Sequence, residues 1–376
     1  MRNEVAFIYD ERFASHELSA THPMKPVRLK YTYELLQSYG CFDSSNSKVT
    51  EPRAVTLNEL MTYHTEGYIE AVKRLSDGSN IIDYQSFNLG TADNPIYPKM
   101  YDAAILSTGA SALAADIIIS DKVDRVFNIS GGLHHAMPGY ANGFCIFNDP
   151  VIAINKLVAQ GMRVAYIDVD CHHGDGVQHA YYDTDKVLTV SLHESGQFLF
   201  PGTGDVEEIG SGKGRGFSVN LPFYPYTSSS VYEWAFVETI PRLIESYSPD
   251  VLVTQLGVDS HANDPLTHLL LTIQGFARVV EIFDSWKIPK WIALGGGGYD
   301  LQAVARAWTS AYSIMIGDDL PDKIPQTYTK KYGVSTLFDV DIDFGEKLSQ
   351  FPIRSYAEGS ISSLKKLIYP KHGIHA

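Results

Sequence analysis

Short runs rich in β-branched and aromatic residues recur at Val5–Tyr9, Arg125–Ile129, Val164–Val169, Val187–Leu192, Val251–Leu256 and Trp291–Leu294, with longer stretches of helical composition between them. This alternation leaves few folds open. Strand, helix and strand in succession wind into a parallel sheet covered on both faces, so an α/β protein with a mainly parallel central sheet flanked by helices is expected. Helices are expected over Tyr101–Ile119, Ala153–Gln160, Val231–Tyr247, Leu269–Trp286 and Leu301–Trp308. With no internal repeat or low-complexity linker, residues 1–376 are expected to form a single domain, as α/β enzymes of this length often do.

Ligands of open parallel sheets bind outside the carboxyl ends of the strands. Four expected strand ends deliver reactive groups there: Ser130-Gly-Gly-Leu-His134-His135, Asp168-Val-Asp170-Cys-His172, Gly257-Val-Asp259-Ser-His261 and Gly295-Gly-Gly-Gly-Tyr299. The run Asp168–Gly176 holds three acids, two histidines and two glycines, a density that a merely solvated loop seldom reaches. Continued as a strand, its two-residue spacing would point Asp168, Asp170 and His172 to one side. A catalytic zinc takes about three protein ligands and keeps a position open. Asp170, His172 and Asp259 would supply them, two carboxylates and an imidazole neutralising a divalent ion. A lone histidine in an α/β core is more often structural, but the tandem His134 and His135 at a glycine-rich strand end suit general acid–base work. Asp168 and Asp175 would each orient one imidazole through its Nδ1.

The glycine stretches do not make phosphate sites. In Gly295–Tyr299 the third glycine of a dinucleotide fingerprint falls on Asp300. In Gly210-Ser-Gly-Lys-Gly, Glu207 stands where a P-loop needs its first glycine, and Gly214 follows Lys213 where Ser or Thr belongs. Both read better as flexible or close-packed backbone. From such a loop the Tyr299 hydroxyl can donate to a developing oxyanion. Phe144 and Phe200 lie in the glycine-containing loops Gly143–Phe147 and Phe198–Gly202, where core packing or a channel wall are the alternatives.

The net charge of −14 disfavours direct nucleic-acid binding and suits a cationic or lysine-bearing substrate. Three cysteines without a CxxC pair point to a reducing compartment, hence the cytoplasm. Met1–Asp10 turns acidic too soon for a signal peptide, and no later run is expected to be long and apolar enough to span a bilayer.

Taken together, Gly131-Gly-Leu-His-His-Ala136, Asp168–Gly176, Gln255-Leu-Gly-Val-Asp259, Asp264-Pro-Leu266 and Leu294–Tyr299 resemble the zinc-dependent histone deacetylase superfamily. The resemblance runs from about Val5 to Trp308. His22-Pro-Met-Lys-Pro-Val-Arg28, His134–Gly139 and Asp264–Leu269 look most like the bacterial and archaeal acetoin-utilization deacetylases. It implies an arginase/deacetylase fold with a catalytic core of about 5–315, a C-terminal extension and zinc, or ferrous iron, on Asp170, His172 and Asp259. His135, paired with Asp175, would be the main general base and acid, and His134, paired with Asp168, its electrostatic partner. Tyr299 would polarise the acetyl carbonyl. Phe144 and Phe200 would form the tunnel with Gly143, while Leu266 and Asp93 would lie at the rim. A structural potassium ion would sit on Asp168, Asp170, His172, Ser191 and Leu192.

The related arginases hold two manganese ions bridged by further acids, which are lacking at Gly174 and His261. One catalytic metal is therefore expected. The implied reaction is hydrolysis of Nε-acetyl-lysine in a protein, an acyl-coenzyme A synthetase being a candidate substrate. Deacetylation of acetylpolyamines and non-catalytic acyl-lysine binding are the alternatives.

Overall fold

The computed structural model describes residues 4–15, 18–79, 83–340 and 348–375. Its strands are β1 (Val5–Ile8), β2 (Ser47–Thr50), β3 (Arg125–Asn128), β4 (Val164–Asp168), β5 (Val187–Glu194), β6 (Ser218–Phe223), β7 (Val251–Gln255) and β8 (Lys290–Leu294). Except in β2 and at Lys290, every strand residue is buried, as in strands covered on both faces. All pairings are parallel, in the order β2-β1-β3-β8-β7-β4-β5-β6. The four strands expected to carry reactive ends, β3, β8, β7 and β4, are thus adjacent at the centre. Their register aligns Asn128, Leu294, Gln255 and Asp168 in one row, continued by Ser191 on β5.

The helices are α1 (Val27–Ser38), α2 (Leu57–Leu60), α3 (Glu66–Ser76), α4 (Met100–Ile119), α5 (Asp149–Ala159), α6 (Asp175–Tyr181), α7 (Ser229–Tyr247), α8 (Ile273–Ser285), α9 (Leu301–Ile316), α10 (Gln326–Tyr332) and α11 (Ile353–Ile368). One packed row runs α1, α9, α8, α7 and α11, and another runs α3, α4, α5 and α6.

Several sequence expectations need correction. β2 and β6 were not anticipated: β2 is a four-residue polar edge strand, and β6 contains Asn220 and Pro222, which an edge strand tolerates. α8 begins at Ile273 rather than Leu269, because Leu270 and Leu271 form extended bridges to Ser228 and His261 and Thr272 caps the helix. α4 is, by length and composition, apolar enough to cross a membrane, contrary to expectation. It packs instead on α5 and β3 and buries Ala104, Ala112, Ala115 and Ile118.

The C-terminal extension has a definite place. α11 lies on β6 and α7, burying Ile361, Leu364 and Ile368, each side chain contributing roughly 1.5–3 kcal/mol. Ser360 donates its hydroxyl to the Pro222 carbonyl at 2.9 Å, so the helix covers this edge of the sheet.

Candidate active site

The chain leaves strand geometry at Asp168, so the expectation that Asp170 and His172 extend along the pleat does not hold. Asp168 Oδ1 accepts from the Asp170 amide (3.1 Å), and Asp170 Oδ1 accepts from the His172 amide (3.0 Å). The two-residue spacing serves consecutive turns in which a carboxylate captures the backbone two residues on. Asp170 Oδ2 accepts from Gln255 Nε2 and from the Gly297 amide, both at 2.7 Å. Asp259 Oδ1 accepts from the Cys171 amide at 2.7 Å.

These bonds aim the remaining donor atoms at one point. His172 Nδ1 lies 3.2 Å from Asp170 Oδ1 and 3.0 Å from Asp259 Oδ2, and all three side chains are buried. Their ligand atoms fall within 4.8 Å of one another, close enough to share a metal ion. Burial opposes every charge here. It is outweighed at Asp170, held well below the usual carboxylate range by His134 and His172, and at His172, held above the usual imidazole range by the two carboxylates. Burial and the neighbouring Asp170 push Asp259 upward. A proton on His172 thus sits between two carboxylates, and a divalent cation fits that donor set of two oxygens and one nitrogen.

Beside this cluster stand two acid–histidine dyads. His134 Nδ1 donates to Asp168 Oδ2 at 2.7 Å, and His135 Nδ1 donates to Asp175 Oδ1 at 2.6 Å. The two Nε2 atoms face each other at 3.0 Å, so a single proton fits between them. Their environments drive the rings apart. Burial would depress His134, but the charges of Asp168 and Asp170 raise it to about 9; burial and cationic His134 lower His135 to about 4. His135 is therefore a neutral base whose Nε2 lone pair faces the Nε2–H of His134, and His134 a cation.

Glycines leave space for these groups. A Cβ at Gly297 would lie 2.9 Å from Asp170 Oδ2, and one at Gly257 2.6 Å from Asp170 Cγ, which explains the close-packed backbone of the Gly295–Tyr299 loop. At Gly174 a Cβ would stand 2.5 Å from Asp168 Oδ2 and 3.4 Å from His134 Nδ1. Gly143, at φ +49°, would direct one to 2.8 Å from His135 Cγ and 2.9 Å from Phe200 Cε1. Gly143→Ala is therefore expected to displace His135 or Phe200 and lower kcat/KM about 10²-fold, checked by steady-state kinetics; an unchanged value would contradict this packing.

Two aromatic rings pack against residues of the site. Phe200, 42% exposed, lies 5.1 Å from the His135 ring and 6.3 Å from His172. Phe144 meets Tyr299 at 5.8 Å and His22 at 4.6 Å. Asp93 is exposed, and its carbonyl accepts from His22 Nε2 at 3.2 Å, tying it to the Phe144 wall. Leu266 is half-buried, its amide held by Asp264 Oδ1 at 2.9 Å. Ser191 pairs in register with Asp168, while its hydroxyl shares a hydrogen with His193 Nδ1 (2.8 Å) and the Leu192 carbonyl accepts from Tyr232 (3.4 Å).

Other contributors were given no role by the sequence, although Arg28 and Asp264 lie in motifs quoted above. Arg28, within the His22–Arg28 motif, is buried and donates to the Gly296 and Gly298 carbonyls at 2.7 Å, bracing the loop before Tyr299. Asp264 Oδ2 accepts from the Tyr299 amide at 2.8 Å. Asn148 and Asp149 at the start of α5 clasp the histidine loop, Asn148 donating to the His134 and Ala136 carbonyls and Asp149 accepting from the Gly132 and Leu133 amides.

A parallel α/β sheet that gathers acid–histidine dyads beside a metal-competent cluster at its strand ends defines a hydrolase-type site. Residues 22–315 match the histone deacetylase domain. The chain is 39% identical over 339 residues to the acetoin utilization protein AcuC of Bacillus subtilis (strain 168), covering 88% of this chain and 87% of that protein. It is 38% identical over 328 residues to human histone deacetylase 1, covering 86% and 67% respectively. A crystal structure of an HDAC homolog complexed with SAHA superposes with a TM-score of 0.87 at 30% identity, covering 96% of this chain and 100% of that one. An HDAC homolog from Aquifex aeolicus gives 0.85 at 29%, covering 95% and 100%. The chain belongs to the histone deacetylase family and is a hydrolase of that family.

Proposed function

We propose that this chain uses zinc to hydrolyse Nε-acetyl-lysine in proteins, yielding acetate and the free lysine amine. The observation that carries this reading is the convergence of Asp170, His172 and Asp259 beside two dyads, with Phe200 against His135 and Phe144 against Tyr299. When bound, zinc supplies Lewis acidity, lowering the pKa of a water and polarising the amide carbonyl. His135 takes a proton from the water as its oxygen bonds to the carbonyl carbon, and returns it to the lysine nitrogen as the C–N bond breaks. His134 keeps positive charge beside the reacting centre, with Asp168 holding it in place as Asp175 holds His135. Tyr299 donates its hydroxyl to the carbonyl oxygen as that atom gains charge.

Phe144 and Phe200 enclose the apolar stem of the side chain, Gly143 leaves room for it, and Leu266 and Asp93 meet the substrate at the rim. Ferrous iron suits the same three ligands. A potassium ion on Asp168, Asp170, His172, Ser191 and Leu192 would offset the buried carboxylates. Acetylated metabolic enzymes, an acyl-coenzyme A synthetase among them, are the proposed substrates. The excess of acids over bases argues against nucleic acid as a partner. Three buried free cysteines suit the cytoplasm.

Zinc-loaded protein is expected to release acetate from acetyl-lysine peptides, and a lack of release overturns the reading; binding without turnover would instead indicate a module that sequesters acetylated chains. Zinc at a thousandfold excess over Kd is expected to raise the Tm of the metal-free protein by about 5–10 °C, following from about 4 kcal/mol of linkage. The net charge of −14 favours one competing substrate class, acetylpolyamines, and relative kcat/KM on the two substrates decides between them.

A further inference from the structure

The loop that begins at Asp259 is tied down at several points. Its Asp259 carbonyl accepts from the Thr267 hydroxyl, and His268 Nδ1 donates to the buried Glu194 at 2.8 Å. One tie comes from far along the chain. His261 Nε2 donates to Asp339 Oδ2 at 2.9 Å, while His261 Nδ1 accepts from the Asn263 amide at 3.1 Å. Both ring nitrogens are thereby committed, the hydrogen residing on Nε2.

Asp339 reaches other elements as well. Oδ2 accepts from the Ile273 amide at 2.7 Å, and Oδ1 accepts from Arg306 on α9 at 2.6 Å. Its backbone exchanges hydrogen bonds with the Gln274 side chain in both directions. One carboxylate therefore joins the Asp259 loop, the first turn of α8 and the helix that follows Tyr299. The linkage continues inward, because the His261 amide donates to the Val258 carbonyl and the Val258 amide to the Gly297 carbonyl, each at 3.0 Å. Gly297 in turn donates to Asp170. Asp339 itself lies beyond the family-matched region, which ends at residue 315.

We propose that Asp339 is a positioning residue which, through His261, sets the geometry of the metal ligand Asp259 and the neighbouring Gly297–Tyr299 loop. The C-terminal segment thereby completes the active site without touching substrate. The inference rests on Asp170, His172 and Asp259 holding a metal.

The test measures zinc affinity of the full chain by competition with a chromophoric chelator, alongside kcat, KM and Tm. Asp339→Asn is expected to weaken zinc binding about tenfold and lower kcat by a similar factor with KM nearly unchanged. His261→Asn should do the same, and the double variant should be no worse than either single one, because both break one linkage. Ser360→Ala, which removes a bond of α11 only, should lower Tm and leave zinc affinity at the wild-type value. Wild-type affinity in Asp339→Asn, or additive losses in the double variant, overturns the assignment. A wild-type chain that binds no zinc overturns the metal reading and this assignment with it.

Discussion

An Asp170→Asn variant is expected to lose stoichiometric zinc binding and, with it, kcat by on the order of 10³-fold, since a metal supplies several kcal/mol of transition-state stabilisation. The carboxylate here has two jobs. Oδ2 accepts from Gln255 and from Gly297, while Oδ1 faces His172. An asparagine can perform only one of them. With its carbonyl turned to Gln255 and Gly297, its amide hydrogens point at the metal position. Turned the other way, its NH2 meets the Gly297 N–H, donor against donor, in a buried place where an unsatisfied group costs about 1–3 kcal/mol. Removing one of the two negative charges also weakens attraction for a divalent ion. Calorimetric zinc titration with acetate-release kinetics checks this; a variant that binds one equivalent and turns over normally would remove Asp170 from the ligand set.

His135→Ala should cost about 10³-fold in kcat, within the range of general acid–base catalysis, while zinc affinity stays near wild type. The contrast with Asp170→Asn separates the base from the ligand. The neighbouring histidine gives a second, signed outcome. Cationic His134 is one of the influences that lower His135, so His134→Ala should let the His135 pKa rise and move the acidic limb of the pH–rate profile to higher pH. A limb that stays in place or moves lower would contradict the assigned protonation states.

How much of this was legible in the sequence depends on how local each cause is. β1, β3, β4, β5, β7 and β8 appear as apolar runs because both faces of each strand are buried, a property of the residues themselves. β6 does not, since Pro222 becomes acceptable only once its place at the sheet edge is known. Asp102 and Asp116 interrupt the apolar run of α4, so it does not read as a span, although its hydropathy passes for one and only its packing shows it to be a core helix. Asp170, His172 and Asp259 stood out because metal-binding residue types cluster at strand ends. The turns that place them did not, as a spacing of two fits a pleated strand and a carboxylate-capped turn equally well. Gln255 reaches Asp170 only through the register of β7 with β4, and Asp339 meets His261 across 78 residues of chain. Such long-range partners carry no local pattern to read.

The tight fit at Gly174 bears on which chemistries are mutationally accessible from this scaffold. Any side chain there would crowd the oxygen by which Asp168 orients His134. A carboxylate able to bridge a second ion cannot be acquired in one substitution without disturbing that dyad. A chain carrying such a carboxylate would gain its second ion site only at the expense of the His134–Asp168 pair.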